Sequence, residues 1–287
     1  MSGAAPVIAS SDPQRRDQTL NILSFVCLFV AILIWVVPFA WAIDTAFKPE
    51  SETTTVPVSW LPTHWTWDAF TSVLSAGSLP RWFFNSLLTS VTITVVTVLF
   101  SSMAAFSISR VPFRGRNLVF WLIMAGIMVP TEALIVPLFL EINSFHMINT
   151  YWAIILPQLA SPIAVFIFKQ FFDGVPHELE EAAVLDGASR FRIYWQIWMP
   201  LSRPAIAAVT IFTFISSWNN FLWPLIAITG TDMMTIPVGV ATVQSAYGVH
   251  YAQIMATSVL AALPLILLFV FFQRQIVQGI ASTGIKG

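Results

Sequence analysis

Six stretches of this chain are long and apolar enough to cross a lipid bilayer, and they restrict its possible folds more than any other feature. They run Leu20–Ile43, Phe84–Ile108, Leu118–Leu140, Tyr151–Phe172, Pro204–Thr229 and Ala252–Gln273. A helix rising about 1.5 Å per residue needs about 20 mostly apolar residues to cross ~30 Å of hydrocarbon. Lipid offers no partner to backbone amides and carbonyls, so each stretch is predicted to be helical. Strands of a membrane barrel would instead alternate apolar and polar over ~10-residue segments, and these runs are continuous. Charged residues make up 9% of the 287, against about 25% in an ordinary soluble domain. The expectation is an all-α, multi-pass membrane protein with a tail over 1–19, a six-helix transmembrane domain over 20–273 and a tail over 274–287.

The basic residues give the spans a direction. Arg15 and Arg16 precede the first span, and Arg110, Arg114 and Arg116 follow the second. Lys169, Arg190, Arg192 and Arg203 surround the connection between the fourth and fifth, and Arg274 and Lys286 follow the sixth. Those are 11 of the 13 Lys and Arg residues; only Lys48 and Arg81 fall on the other side. By the positive-inside rule, both termini are expected in the cytoplasm. Ala40-Trp41-Ala42 has the small-x-small look of a signal cleavage site, but a signal core runs only about 7–15 residues. The first span is longer, so its retention is expected. A net charge of −1 argues against nucleic-acid binding as a main role. The single cysteine, Cys27, has no internal disulfide partner.

Two connections stand out. The outer loop 44–83 holds Trp60, Trp65, Trp67 and Trp82 with Pro57, Pro62 and Pro80. It reads either as an aromatic belt at the headgroups or as a docking surface for an extracytoplasmic partner. The inner loop 173–203 holds eight of the chain's 27 charged residues: Asp173, Glu178, Glu180, Glu181, Asp186, Arg190, Arg192 and Arg203. Two short helices are predicted there. Pro176 and the acids suit a first turn, and Leu179, Ala182, Ala183 and Asp186 form a narrow stripe at helical spacing. Gly187 permits a turn, and a second helix from Ser189 to Trp198 is expected to stop at Pro200. The pair is either an amphipathic hairpin lying on the membrane or a knob gripped by a cytoplasmic partner.

Here a family resemblance enters. Glu181-Ala182-Ala183, three residues, Gly187, nine residues, Ile197, one residue and Met199-Pro200 resemble the EAA loop of ABC importer permeases, E-A-A-x3-G-x9-I-x-L-P. Met199 stands where that pattern has leucine. Trp218-Asn219-Asn220-Phe221-Leu222-Trp223-Pro224, the run Gln273 to Gly279 and the ending Gly284-Ile285-Lys286-Gly287 are similar to the carbohydrate, maltose-permease-like branch. The resemblance covers about residues 20–287. It implies a type I importer permease fold in a bacterial or archaeal cytoplasmic membrane. It also implies a coupling helix, with Glu181, Ala182, Ala183, Asp186, Gly187, Ile197 and Pro200, seated in an ATP-binding subunit. The implied partners are two such subunits, which carry the ATP and Mg, a second and different permease chain, and an extracytoplasmic solute-binding protein. This chain would bear no cofactor and would not be an enzyme. Gly284, Lys286 and Gly287 would reach the ATPase dimer. The solute would be a sugar, with a glycerophosphodiester or polyol as the alternative.

The residues agree that ATP is not hydrolysed here. A phosphate-binding G-x-x-x-x-G-K-[ST] loop must open a helix; Gly279 to Gly287 places its lysine one residue late and lacks the hydroxyl. Polar residues inside spans are candidates for a translocation path: Glu132 after Pro130, Gln158, Trp218, Asn219, Asn220 and Trp223. Amides and aromatic faces suit sugar hydroxyls and C–H patches, and the same side chains also serve helix packing. Ser86, Ser90, Thr94, Thr97 and Ser101 form a stripe that predicts close helix packing, against the second permease. An intramembrane enzyme would need ligands or a nucleophile in the spans. The four histidines (His64, His146, His177 and His250) lie in loops, and His177-Glu178 does not continue as H-E-x-x-H. A stand-alone secondary transporter would show repeated halves, and none is evident.

Overall fold

The computed structural model describes residues 13–57, 59–246 and 249–283. Among them there is no strand, and the helices follow one another as short pieces and three long rods. Contacts divide the chain into two compact units: Met1–Phe70 with Tyr251–Val259, and Thr71–His250 with Leu260–Gly287.

In the first unit, α1 (Pro13–Ala46) is apolar around its whole circumference from Phe25 to Ile43, and residues 21–40 are all exposed. A helix without a polar face belongs in hydrocarbon or against another apolar surface. The loop beyond it is organised by local chemistry. Lys48 is buried, pairs with Asp44 at 2.5 Å, donates to the Ser59 carbonyl at 2.8 Å and sits over the Trp41 ring. Phe47 is ringed by Trp65, Trp67 and Phe70. Glu50 Oε2 accepts the Ala252 amide at 3.2 Å, a carboxylate at the N-terminus of the last helix, where the helix dipole favours it.

The second unit is built around α3 (Ser78–Arg110), which follows the short α2 (Asp68–Ser75). Next come α4 (Arg116–Ala125), α5 (Ile135–Ser144), α6 (Tyr151–Ile155) and α7 (Pro162–Asp173). α8 (Glu178–Leu185), α9 (Arg190–Ile193) and α10 (Met199–Leu201) form the 173–203 connection. α11 (Arg203–Trp218), α12 (Leu222–Ala227) and α13 (Ile236–Ala246) lead to α14 (Tyr251–Thr283). Three helices are long and apolar enough to span a membrane by themselves: Asn21–Ala46, Ser78–Arg110 and Tyr251–Gln273. The others are broken pairs. Arg116–Met128 meets Thr131–Ser144 at 93°, Tyr151–Gln158 meets Pro162–Asp173 at 44°, and Arg190–Leu201 meets Arg203–Trp218 at 77°. Counting each pair as one span gives up to six.

The expected fifth span, Pro204–Thr229, is not one helix. α11 stops at Trp218, and Asn219 to Phe221 leave the helix before α12 begins. The hydroxyl stripe on α3 is buried as expected, but within this chain rather than against a second one. Ser86 Oγ accepts the Ile236 amide at 2.8 Å, and Thr97 donates to the Leu159 carbonyl at 3.3 Å. Thr89 and Thr94 bond carbonyls of their own helix, whereas the buried Ser90 hydroxyl finds no partner among the described residues; small polar side chains let α7 and α11 approach α3 closely. One core cluster gathers Phe106, Phe168, Phe172, Trp198 and Val209; another gathers Trp82, Ile93, Phe214, Trp218 and Ile236.

Candidate functional site

The 173–203 connection folds as an elbow. α8 opens with Glu178, Glu180 and Glu181 in its first turn and buries none of its residues. It closes with two bonds, Ala188 N–H to the Ala183 carbonyl and Gly187 N–H to the Val184 carbonyl, both 3.0 Å. Gly187 sits at φ +75°. This is a Schellman ending, and the left-handed position is where a residue without Cβ is favoured. Ala183 and Ala188 reach back to the core, whereas Glu181, Ala182, Val184, Leu185 and Asp186 face outward. Ser189 Oγ caps α9 by accepting the Arg192 amide at 3.3 Å.

The second arm runs further than the sequence suggests. Tyr194–Trp198 forms a π-helical turn, and Pro200 lies inside the first turn of α10 rather than ending the helix at Trp198. The bend comes at Ser202, whose hydroxyl donates to the Trp198 carbonyl at 2.5 Å. Proline at a first turn sacrifices no intrahelical bond. Ile197 packs against the core cluster and Pro200 is exposed.

The elbow's root was missed at the sequence level. Arg110, the last residue of α3, is buried. It donates to the carbonyls of Phe172 and of Val175 (2.7 Å for the latter), lies 2.8 Å from His177 Nδ1, and covers the Trp198 ring at 4.2 Å. Above it, Ser102 Oγ and the Tyr194 hydroxyl share a buried hydrogen bond of 2.7 Å. In the sequence Arg110 counted only as a topology charge. A bond to backbone some 65 residues away leaves no local pattern to read.

A cleft of about 580 Å³ lies where the broken helices meet. Glu132 comes to it from the turn after Pro130, Gln158 from the turn after α6, Asn220 from the break after α11 and Trp223 from the first turn of α12. Asn220 Nδ2 donates to Gln158 Oε1 at 3.0 Å, and Gln158 Nε2 to the Ile154 carbonyl at 2.9 Å. Trp223 Nε1 is tied to the Ala153 carbonyl at 2.8 Å. Thr213 and Ser217 also line the space with buried hydroxyls that find no partner among the described residues. Trp218 and Asn219 are not part of this lining. Trp218 is buried, stacks on Phe214 and donates to the Ala261 carbonyl at 3.1 Å; Asn219 is exposed and bonds the Ile215 carbonyl. Gly284, Lys286 and Gly287 lie outside the described residues. No group of three or more metal-ligating side chains occurs among the described residues.

An exposed capped elbow on a bundle of apolar, broken helices is the frame of a multi-pass membrane protein. Residues 97–282 match the family described as "Binding-protein-dependent transport system inner membrane component", and the chain belongs to that family. It is 38% identical to the arabinooligosaccharides transport system permease protein of Halalkalibacterium halodurans, covering 95% of this chain and 100% of that one. It is 32% identical to the diacetylchitobiose uptake system permease protein of Streptomyces coelicolor, over 93% and 89%. Its fold matches that of a chain in a bacterial ABC transporter importing the acidic polysaccharide alginate. The TM-score is 0.83 at 21% identity, covering 92% of this chain and 99% of that one.

Proposed function

We propose that this chain is one permease of a carbohydrate importer. It would have six spans with both termini in the cytoplasm, pair with a second, different permease chain, and receive its solute from an extracytoplasmic binding protein. ATP and Mg act on two separate ATP-binding subunits, and the elbow is where one of them grips. The observation that carries this reading is α8 itself. Glu181, Ala182 and Asp186 stand on a helix with no buried residue, ended by a glycine turn. Small side chains admit a close partner, and the acid-rich first turn offers carboxylates to a basic groove. Gly284, Lys286 and Gly287 are a second contact with the same partner.

The cleft supports a solute recognised without charge. Gln158, Asn220, Thr213 and Ser217 present amides and hydroxyls, Trp223 an aromatic face, and Glu132 the one ionisable group of the lining. Among the described residues no Lys or Arg lines it, so an anionic glycerophosphodiester would meet a carboxylate with nothing there to offset it. A neutral oligosaccharide is the better fit.

Co-expression with the ATP-binding subunit, the partner permease and the binding protein, followed by reconstitution, tests this. Uptake that requires ATP and the binding protein is expected, with a neutral sugar recovered by mass spectrometry from the purified complex. Uptake by this chain alone on a proton gradient would overturn it.

A further inference from the structure

Both arms of the elbow return to the end of α3, and they do so through one side chain. Arg110 holds the carbonyls of Phe172 and Val175 and the ring of His177 on the incoming arm, while its face lies on Trp198 of the outgoing arm. Ser102 and Tyr194 fasten the outgoing arm a second time, inside the π-helical turn. We propose that Arg110 is the positioning residue that converts displacement of the elbow into movement of α3. The proposal rests on the reading of α8 as the seat of an ATP-binding subunit.

Three observations support it. First, the charge of Arg110 faces carbonyl oxygens at the C-terminal end of α7, where the helix dipole is negative. The ion pairs of the described residues, Lys48–Asp44 and Lys169–Asp173, do not include it. Carbonyls held in a backbone cannot swing to another partner as a surface carboxylate can, so the fastening has one geometry. Second, the chemistry demands arginine. A planar fork with five donors bonds two carbonyls and an imidazole while stacking on an indole, and an ammonium cannot. Third, α3 is an unbroken rod within this unit and reaches the cleft. Ile93 of α3 lines the cleft, and the helix from there to Arg110 is about 25 Å long at ~1.5 Å per residue. The neighbouring spans are interrupted, α6 to α7 by a 44° bend and α11 after Trp218. A push at the elbow therefore reaches the cleft through α3 with the least loss.

The test uses the complete importer in proteoliposomes, with solute moved per ATP as the first readout. The second readout is the distance between spin labels at Ser107 and Gln196, both exposed, in a Cys27→Ser background. In the unmodified importer the distance should be single and equal in nucleotide-free and vanadate-trapped states. In Arg110→Gln, solute per ATP should fall roughly tenfold while the ATP-binding subunit stays bound, and the distance should broaden. Arg110→Lys should resemble Arg110→Gln rather than the parent. Tyr194→Phe, which leaves no cavity, should lower the ratio by a smaller factor, and it serves as the decisive variant if Arg110→Gln does not assemble. A parental ratio with an unchanged distance in the decisive variant overturns the proposal. Glu181→Lys separates the two levels. If that variant still holds the ATP-binding subunit, the reading of α8 fails; if it releases the subunit while Arg110→Gln stays fully coupled, only the role of Arg110 fails.

Discussion

At the tip of the elbow α8 buries none of its residues, while at the root Trp198 and Phe172 are fully enclosed and Arg110 is nearly so. The tip is held by its own backbone, through the paired bonds from Ala188 and Gly187. The root is held by packed aromatic rings, with Phe172 edge to face against Trp198 and Phe106, and Phe106 tilted against Trp198. A surface that must be gripped by something else stays small, charged and self-supporting. A surface that must pass on the grip without yielding is packed like the interior of a soluble domain.

Four substitutions would break or sharpen that contrast. Glu181→Lys at the tip should have the largest effect on transport. Reversed charge in a partner contact costs several kcal/mol, so uptake and co-purification of the ATP-binding subunit should fall by about a hundredfold or more, with the unfolding temperature of the chain unchanged. Trp198→Ala at the root should do the opposite. Emptying a fully enclosed indole site costs about 3–5 kcal/mol, read as a lower unfolding temperature in detergent and poor accumulation in the membrane. A Trp198→Ala chain as stable as the parent would refute the packed root. Gly187→Val lies between. No atom stands within 4 Å of an added Cβ, but φ is +75°, and a branched residue there costs about 1–2 kcal/mol. Stability should fall modestly and coupling more, since the tip is re-aimed.

The smallest effect belongs to the loop after α1. The hydroxyl and amide of Thr63, followed by His64 and Lys48, hold the Glu52 carboxyl below the usual glutamate range. A carboxyl with a lowered folded-state pKa lends stability above its unfolded value near 4.5 and loses it as pH falls through the folded value. Protease resistance of this loop should therefore drop on acidification below that point, and Glu52→Gln should flatten the drop.

Much of the tip was legible because its requirements are local. A glycine at the left-handed position, acids in a first turn and alanines at helical spacing all leave marks in neighbouring residues. The root was not, because Arg110 acts on backbone carbonyls that carry no residue-type signature. Trp218 and Asn219 fall outside the cleft lining for a related reason. An indole beside two amides reads as a sugar platform, but whether it faces the cleft or the Ala261 carbonyl depends on where α11 ends. Pro224 stands six residues beyond that end, in the first turn of α12, and does not mark the residue at which α11 stops. Pro130 did mark the break that brings Glu132 to the cleft, though not its 93° angle. The hydroxyl stripe of α3 announced tight packing but not the neighbour, since small residues fit a foreign helix as well as a native one.

Asn149 holds a quieter consequence. At φ +61°, it donates its amide to the Ala227 carbonyl at 2.9 Å, while its side-chain oxygen accepts the Gly230 amide at 2.8 Å. The hairpin before α6 is thereby stitched to the strand-like stretch after α12. Any rearrangement here must carry both turns together as one corner or first break these two bonds.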